Sequence, residues 1–256
     1  MKAERADLFL FMGQSNMAGR GETCAAWPEG APALLEGAGW EFRAVSDPTR
    51  LYPIGEPFGV NENRPDGICE AVRKSGSMVT AFVNAYYEGT GVPVIGVSAS
   101  KGGSRIREWQ PGTPMLTDAA NRLAAVKTFL AETSIPIRHI FMLWCQGESD
   151  GDAGVTPEQY QAEFENMLDF MEERGVERCF LVQIGCYNGP GAVDYGPIRQ
   201  AQEVLAGTDP RVIMVSRFFA SMKERGLMKD SFHYYQAAYN EVGTEAGKAA
   251  AEYVRK

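Results

Sequence analysis

The chain has only two histidines, His139 and His233. Histidine is the side chain best suited to move a proton near neutral pH, so a proton-transfer site that uses one must choose between them. Asp230 stands three residues before His233. That spacing lets a carboxylate reach back to the imidazole Nδ1, fix the tautomer and leave Nε2 free to take a proton. Asp-x-x-His alone is a weak signal, because a helix-capping Asp before a surface His has the same form. A serine completes the chemistry. Ser15 lies in Gly13-Gln14-Ser15-Asn16, and a serine beside such a base can attack an acyl carbon. The same residue in a turn can equally be a helix N-cap, or part of a phosphate-cradling loop as in flavodoxin-type flavin binders. No GxGxxG or Walker pattern supports the phosphate reading. An oxyanion formed by such an attack needs donors. The Ser15 N–H, the N–H of Gly103 and the carboxamide of Gln146 are the candidates.

These residues need a scaffold that gathers them. Five short apolar runs read as buried parallel strands: Asp7–Met12, Pro93–Ala99, His139–Cys145, Cys179–Gly185 and Arg211–Ser216. Each is nearly continuous in apolar residues, as strands covered on both faces are. Helical patterns alternate with them at Ser77–Glu88, Leu116–Glu132, from Thr156 to a stop at Gly175, Pro197–Ala206 and Tyr234–Val254. Thr156-Pro-Glu-Gln159 is a capping box with Pro at the first helical position. Alternating strand and helix predicts an α/β fold, with a parallel five-stranded sheet between two helix layers in a single domain. In such a sheet, ligands bind outside the carboxyl ends of the strands. Ser15, Gly103, Gln146 and the Asp230–His233 segment all fall at that edge. Residues 19–74 form a long insertion rich in Gly and Pro, which is expected to be functional or to hide small elements of its own.

Other candidates carry less. His139 opens a strand at the amino edge and reads as structural. Cys145 ends an apolar strand and reads as an inert buried thiol. Asp150-Gly-Asp152 hints at a calcium loop but lacks its third oxygen ligand, and Gln161 stands where the bidentate Glu belongs. No metal or organic cofactor is expected. Gln14, Asn16, Gly102, Arg105 and Glu148 are candidates for supporting or binding roles, with Glu148 and Arg105 expected to pair across neighbouring loops. The aromatics of the insertion suit either a sugar platform or a local core.

Composition sets the outer bounds. The 256 residues are 45% hydrophobic and 23% charged, which is a globular balance. The net charge of −8 comes with no basic stripe, so nucleic-acid and anionic-membrane partners are not expected. Five cysteines, an odd number with no CxxC pair, read as reduced thiols. The apolar run after Lys2 and Arg5 is too short for a signal peptide, and a cytoplasmic location is expected.

The chain resembles SGNH-type serine hydrolases of the carbohydrate-esterase branch that includes sialate O-acetylesterases and acetylxylan esterases. The matching stretches are Leu10–Gly19, Ala99–Ile106 with Trp109, Leu143–Asp150 and Asp230–His233. The resemblance implies a flavodoxin-like three-layer sandwich and a cofactor-free esterase acting on a small acetylated carbohydrate. It implies Ser15 as nucleophile, His233 as base and Asp230 as its orienting acid. It also implies Gly103 and Gln146, with the Ser15 N–H, as the oxyanion hole. A flavodoxin-like binding module and a carbohydrate-binding protein without catalysis are the alternatives.

Overall fold

The computed structural model describes residues 5–70 and 73–256. Strand β1 (Ala6–Gly13) runs up the centre of the sheet and is buried along its whole length. Its side chains alternate between two cores, as strand geometry requires. Leu8, Leu10 and Met12 enter one core. Phe9 and Phe11 enter the other. Strands β4 (Val94–Ser100) and β5 (Ile137–Cys145) pair with β1 on either side, both parallel. Strands β6 (Arg178–Val182) and β7 (Val212–Ser216) extend the parallel sheet beyond β5.

The sheet has seven strands rather than five. The two additional strands come from the insertion. Strand β2 (Gly39–Arg43) adds in parallel to β4, and β3 (Asp47–Pro53) returns antiparallel to β2. The full order is β3-β2-β4-β1-β5-β6-β7. Both escape a hydrophobicity reading because they are short, charged and broken by Gly or Pro, residues that strands disfavour. They tolerate this because they lie at the end of the sheet.

Helices α2 (Val79–Thr90) and α7 (Gln236–Arg255) cover the phenylalanine face. Phe9 meets Phe82 and Tyr86 of α2 edge-on, at 5.2 and 5.0 Å between centroids. Helices α3 (Pro114–Glu132), α5 (Pro157–Glu172) and α6 (Gly196–Thr208) cover the other face. The Thr156 hydroxyl caps α5 by accepting from Gln159 N–H at 3.2 Å. Two short helices, α1 (Ser15–Ala18) and α4 (Glu148–Asp152), open directly after β1 and β5.

The insertion is wired to this body. Arg122 of α3, almost fully buried, donates to the carbonyls of Ser98 (2.8 Å), Glu62 (3.1 Å) and Ile68 (3.3 Å). Its partner Asp118 accepts Ile68 N–H at 3.0 Å. An ion pair buried at this depth holds only when its remaining donors are satisfied, and here three backbone carbonyls, one from β4 and two from the insertion, satisfy them. The end of the insertion is thereby held beside the carboxyl edge of β4. Among the described residues, no helix is long and apolar enough to cross a membrane.

Candidate active site

The tight turn after β1 begins at Gly13-Gln14 and places Ser15 at the first position of α1. Asp230 and His233 lie in the loop before α7. The fold brings all three together. His233 Nε2 lies 3.0 Å from Ser15 Oγ, and His233 Nδ1 lies 2.9 Å from Asp230 Oδ2. The other Asp230 oxygen accepts the N–H groups of Phe232 (2.9 Å) and His233 (2.8 Å). The carboxylate is thus fixed by its own loop before it orients the ring. Burial lowers the His233 pKa below the usual imidazole value, against the opposing pull of Asp230. Burial alone would raise the Asp230 carboxyl, but the two N–H groups and the His233 ring outweigh it and hold the group below its usual range.

Ser15, His233, Gly102 and Gly103 line one cavity of about 200 Å³. Ser15 N–H opens a helix turn and so has no partner inside it. Among the described residues, neither it nor the N–H of Gly103 is paired with a protein acceptor. Both are available to an incoming oxygen. Gly103 holds φ +71°, in the left-handed region, and nothing lies within 4 Å of where its Cβ would stand. It faces open space.

Gln146 does not join them. It is fully buried, and its amide nitrogen donates to Ser104 O (3.0 Å) and to Asp150 Oδ2. Both amide hydrogens are therefore taken up inside the protein, and Gln146 is not among the residues that line the cavity, so it is not placed as the free oxyanion donor expected of it. The expected Glu148–Arg105 pair is corrected as well. Asp150 makes the link between those loops, accepting Ile106 N–H at 3.0 Å. Glu148 turns the other way, to Asn16.

Asn16 is the most heavily used of the supporting residues. Fully buried, its amide donates to Glu148 Oε1 (2.5 Å) and to Phe232 O (3.0 Å), and its oxygen accepts from Tyr239 OH (2.6 Å). One side chain thereby joins the Ser15 turn, the loop after β5, the residue next to His233, and α7. Gln14 adds a second tie, accepting Gly147 N–H (3.1 Å) and Ser149 N–H (3.3 Å). Burial raises Glu148 to about 7 and Asp150 to about 6, against the pull of Asn16 and Gln146 respectively.

Sequence reading missed Arg20 and Glu70. Both are buried, and Arg20 Nη2 donates to Glu70 Oε2. The other Glu70 oxygen accepts Gly102 N–H at 2.5 Å. Nothing local marks Glu70, which comes from the insertion fifty residues after Arg20.

The remaining candidates lie elsewhere. His139 sits at the amino half of β5, 2.9 Å from Glu177, and stacks on Phe141. Cys145 is fully buried, and burial pushes its thiol well above the usual range. Asp150 and Asp152 face different partners, since Asp152 accepts from Tyr195 OH at 2.8 Å. Among the described residues, no group of three or more His, Cys, Asp or Glu is placed to hold a metal ion.

Solved structures share this architecture. A protein of Arabidopsis thaliana is 22% identical with a TM-score of 0.71, over 96% of this chain and 97% of that one. NanS is 14% identical with a TM-score of 0.64, over 100% and 99%. A carbohydrate acetylesterase of Xanthomonas citri is 18% identical with a TM-score of 0.57, over 95% of this chain and 55% of that one. At these identities the likeness is one of fold. No curated protein matches the chain. The sequence model of one family, described as carbohydrate esterase, sialic acid-specific acetylesterase, matches residues 5–252. With that match spanning nearly its whole length, the chain belongs to this family of carbohydrate esterases.

Proposed function

We propose that the protein removes O-acetyl groups from a small carbohydrate through a serine nucleophile. The observation that carries this reading is the line from Ser15 Oγ to His233 Nε2 (3.0 Å) and from His233 Nδ1 to Asp230 (2.9 Å), at a cavity with two N–H groups that have no acceptor among the described residues. His233 takes the Ser15 proton as Oγ attacks the acetyl carbonyl carbon. The carbonyl oxygen becomes an oxyanion, which the N–H groups of Ser15 and Gly103 stabilise. As the ester bond breaks, the imidazolium returns its proton to the departing sugar hydroxyl. Water then attacks the acetyl-serine with His233 again as base, releasing acetate and restoring the serine. Asp230 stays ionised throughout and stabilises the imidazolium. The engagement of the Ser15 hydroxyl by a histidine base speaks against a phosphate-binding loop. The candidate substrates are acetylated sialic acids, which the family description favours, and acetylated xylan fragments.

The test is acetate release from a panel of acetylated sialic acids, acetylated xylan fragments and aryl acetates, by wild type and Ser15→Ala. The variant should lose at least about three orders of magnitude in kcat on every accepted substrate, leaving what the oxyanion donors and binding supply. Comparable turnover by a folded Ser15→Ala would defeat the proposal.

A further inference from the structure

We infer that Glu70 is a positioning residue that holds the Gly103 N–H toward the reacting carbonyl, and that the 19–74 insertion serves the site by delivering it. The inference rests on the esterase reading above. The N–H of Gly103 belongs to the peptide joining Gly102 to Gly103. That peptide is the central one of the turn Lys101–Ser104, closed by Ser104 N–H (3.4 Å) and Ser104 Oγ (2.7 Å) on Lys101 O. Of the two glycines only Gly103 has a positive φ, the signature of a type II turn. Types I and II differ by rotation of this central peptide while the turn's ends stay in place. With glycine at both central positions, no Cβ opposes the rotation. Its effect on catalysis is severe. The rotated peptide would present the Gly102 carbonyl oxygen where the N–H had been, and an acceptor would face the developing oxyanion.

Glu70 anchors the turn as a whole. Its Oε1 accepts Gly102 N–H at 2.5 Å, which fixes the peptide preceding the mobile one and with it where the turn stands beside Ser15; the mobile peptide's own carbonyl, Gly102 O, accepts from Lys101 Nζ at 3.3 Å. Its Oε2 is held by Arg20, whose other terminal nitrogen donates to Gly19 O at 2.9 Å. Gly19 ends the turn that begins with Ser15. One carboxylate therefore ties together the two segments that carry the two free donors. Glu70 itself is clamped, with its N–H on Asn63 Oδ1 at 2.5 Å and its side chain only 2% exposed. The fit leaves no slack, since a Cβ on Gly102 would stand 2.6 Å from both Glu70 Oε1 and Arg20 Nη2. The absence of a side chain at Gly102, which frees the central peptide, is the same feature that lets the carboxylate approach close enough to anchor the turn.

The test compares wild type, Ser15→Ala and Glu70→Gln on an aryl acetate, with a boronic acid that adds to serine as a tetrahedral transition-state mimic. Glu70→Gln keeps the shape but cannot accept on both oxygens. Its kcat should fall roughly 10- to 100-fold, short of the full loss of an oxyanion donor. KM should stay within about twofold, and the boronate inhibition constant should rise by the same factor as kcat/KM falls. The midpoint of the kcat/KM pH profile should not rise, because the line from Ser15 to Asp230 is untouched and Arg20, relieved of its anion, still favours neutral His233. Unchanged kcat and boronate affinity, or a loss confined to KM, would overturn the inference. If Glu70→Gln does not fold, Arg20→Gln keeps the Gly102 acceptor and frees its other arm. It should show a smaller loss in kcat and in boronate affinity at little-changed KM, and wild-type kinetics in it would also overturn the inference. A wild type no more active than Ser15→Ala removes the esterase reading and this inference together. A wild type that is active, beside an unimpaired Glu70→Gln, removes only the inference.

Discussion

Replacing Asn16 by alanine removes three hydrogen bonds at once, to Glu148, to Phe232 O and from Tyr239 OH. Each partner left unpaired in a buried site costs about 1–3 kcal/mol. The space vacated by the carboxamide can admit water, which re-satisfies part of the loss, so the low end applies and the sum is about 3 kcal/mol. For a chain of this size that lowers Tm by about 6–12 °C. A second effect falls on catalysis. Phe232 precedes His233, and its carbonyl is held by the residue that follows Ser15, so the bond sets the distance between nucleophile and base. A displacement on the order of 1 Å there costs up to about 100-fold, so Asn16→Ala should lose roughly 10- to 100-fold in kcat with KM little changed. Thermal unfolding followed by circular dichroism and initial rates on an aryl acetate measure the two effects separately. A variant that melts within about 2 °C of wild type and keeps its kcat would refute the reasoning, since neither the burial nor the bridge would then matter.

Two further outcomes follow from the site. Catalysis needs neutral His233, and burial lowers its pKa. The kcat/KM profile should therefore rise through one ionisation below the ordinary imidazole value of about 6.5 and stay level above it, with a midpoint above neutrality as the refuting result. Gln146→Ala leaves Ser104 O and Asp150 without their amide partner. It should lower Tm by about 4–8 °C and kcat by less than about tenfold, whereas a loss near 100-fold in kcat alone would restore Gln146 as a direct oxyanion donor.

How much of this was legible depended on whether the signal was local. The five parallel strands read from sequence announce themselves because strands buried on both faces must be apolar at nearly every position. Ser15 and the Asp230–His233 pair were legible because strand topology fixes the edge at which they emerge. The roles of Glu148 and Asp150 were not. Two residues apart on a helical turn, they point in different directions, and sequence does not say which one meets Asn16 and which meets Ile106. Gln146 has the right type at the right edge, but its burial depends on Ser104 and Asp150, which only the folded chain brings to it. Glu70 had no signal at all, since its meaning lies in a glycine turn more than thirty residues away. Strands β2 and β3 carry charges and prolines that a central strand would exclude.

Those same residues decide how the outermost strand behaves toward other chains. An exposed strand edge offers unpaired N–H and C=O groups on which another extended segment can add, which is the first step of many aggregation processes. β3 is one of the sheet's two edges, β7 being the other, and it is a poor template. It spans seven residues, of which Pro48 and Pro53 have no N–H to offer, and Asp47 and Arg50 place charges along it. The Asp47 carboxylate is held by Thr49, Tyr52 and Arg50, so the strand's polar groups turn inward on one another. Had the sheet ended at β4, its last strand would have been seven fully buried residues, Val-Ile-Gly-Val-Ser-Ala-Ser, of the kind that stacks readily with copies of itself. The hairpin closes that side of the molecule against self-association, and the continuous apolar strand β4 is thereby kept from pairing with copies of itself between chains.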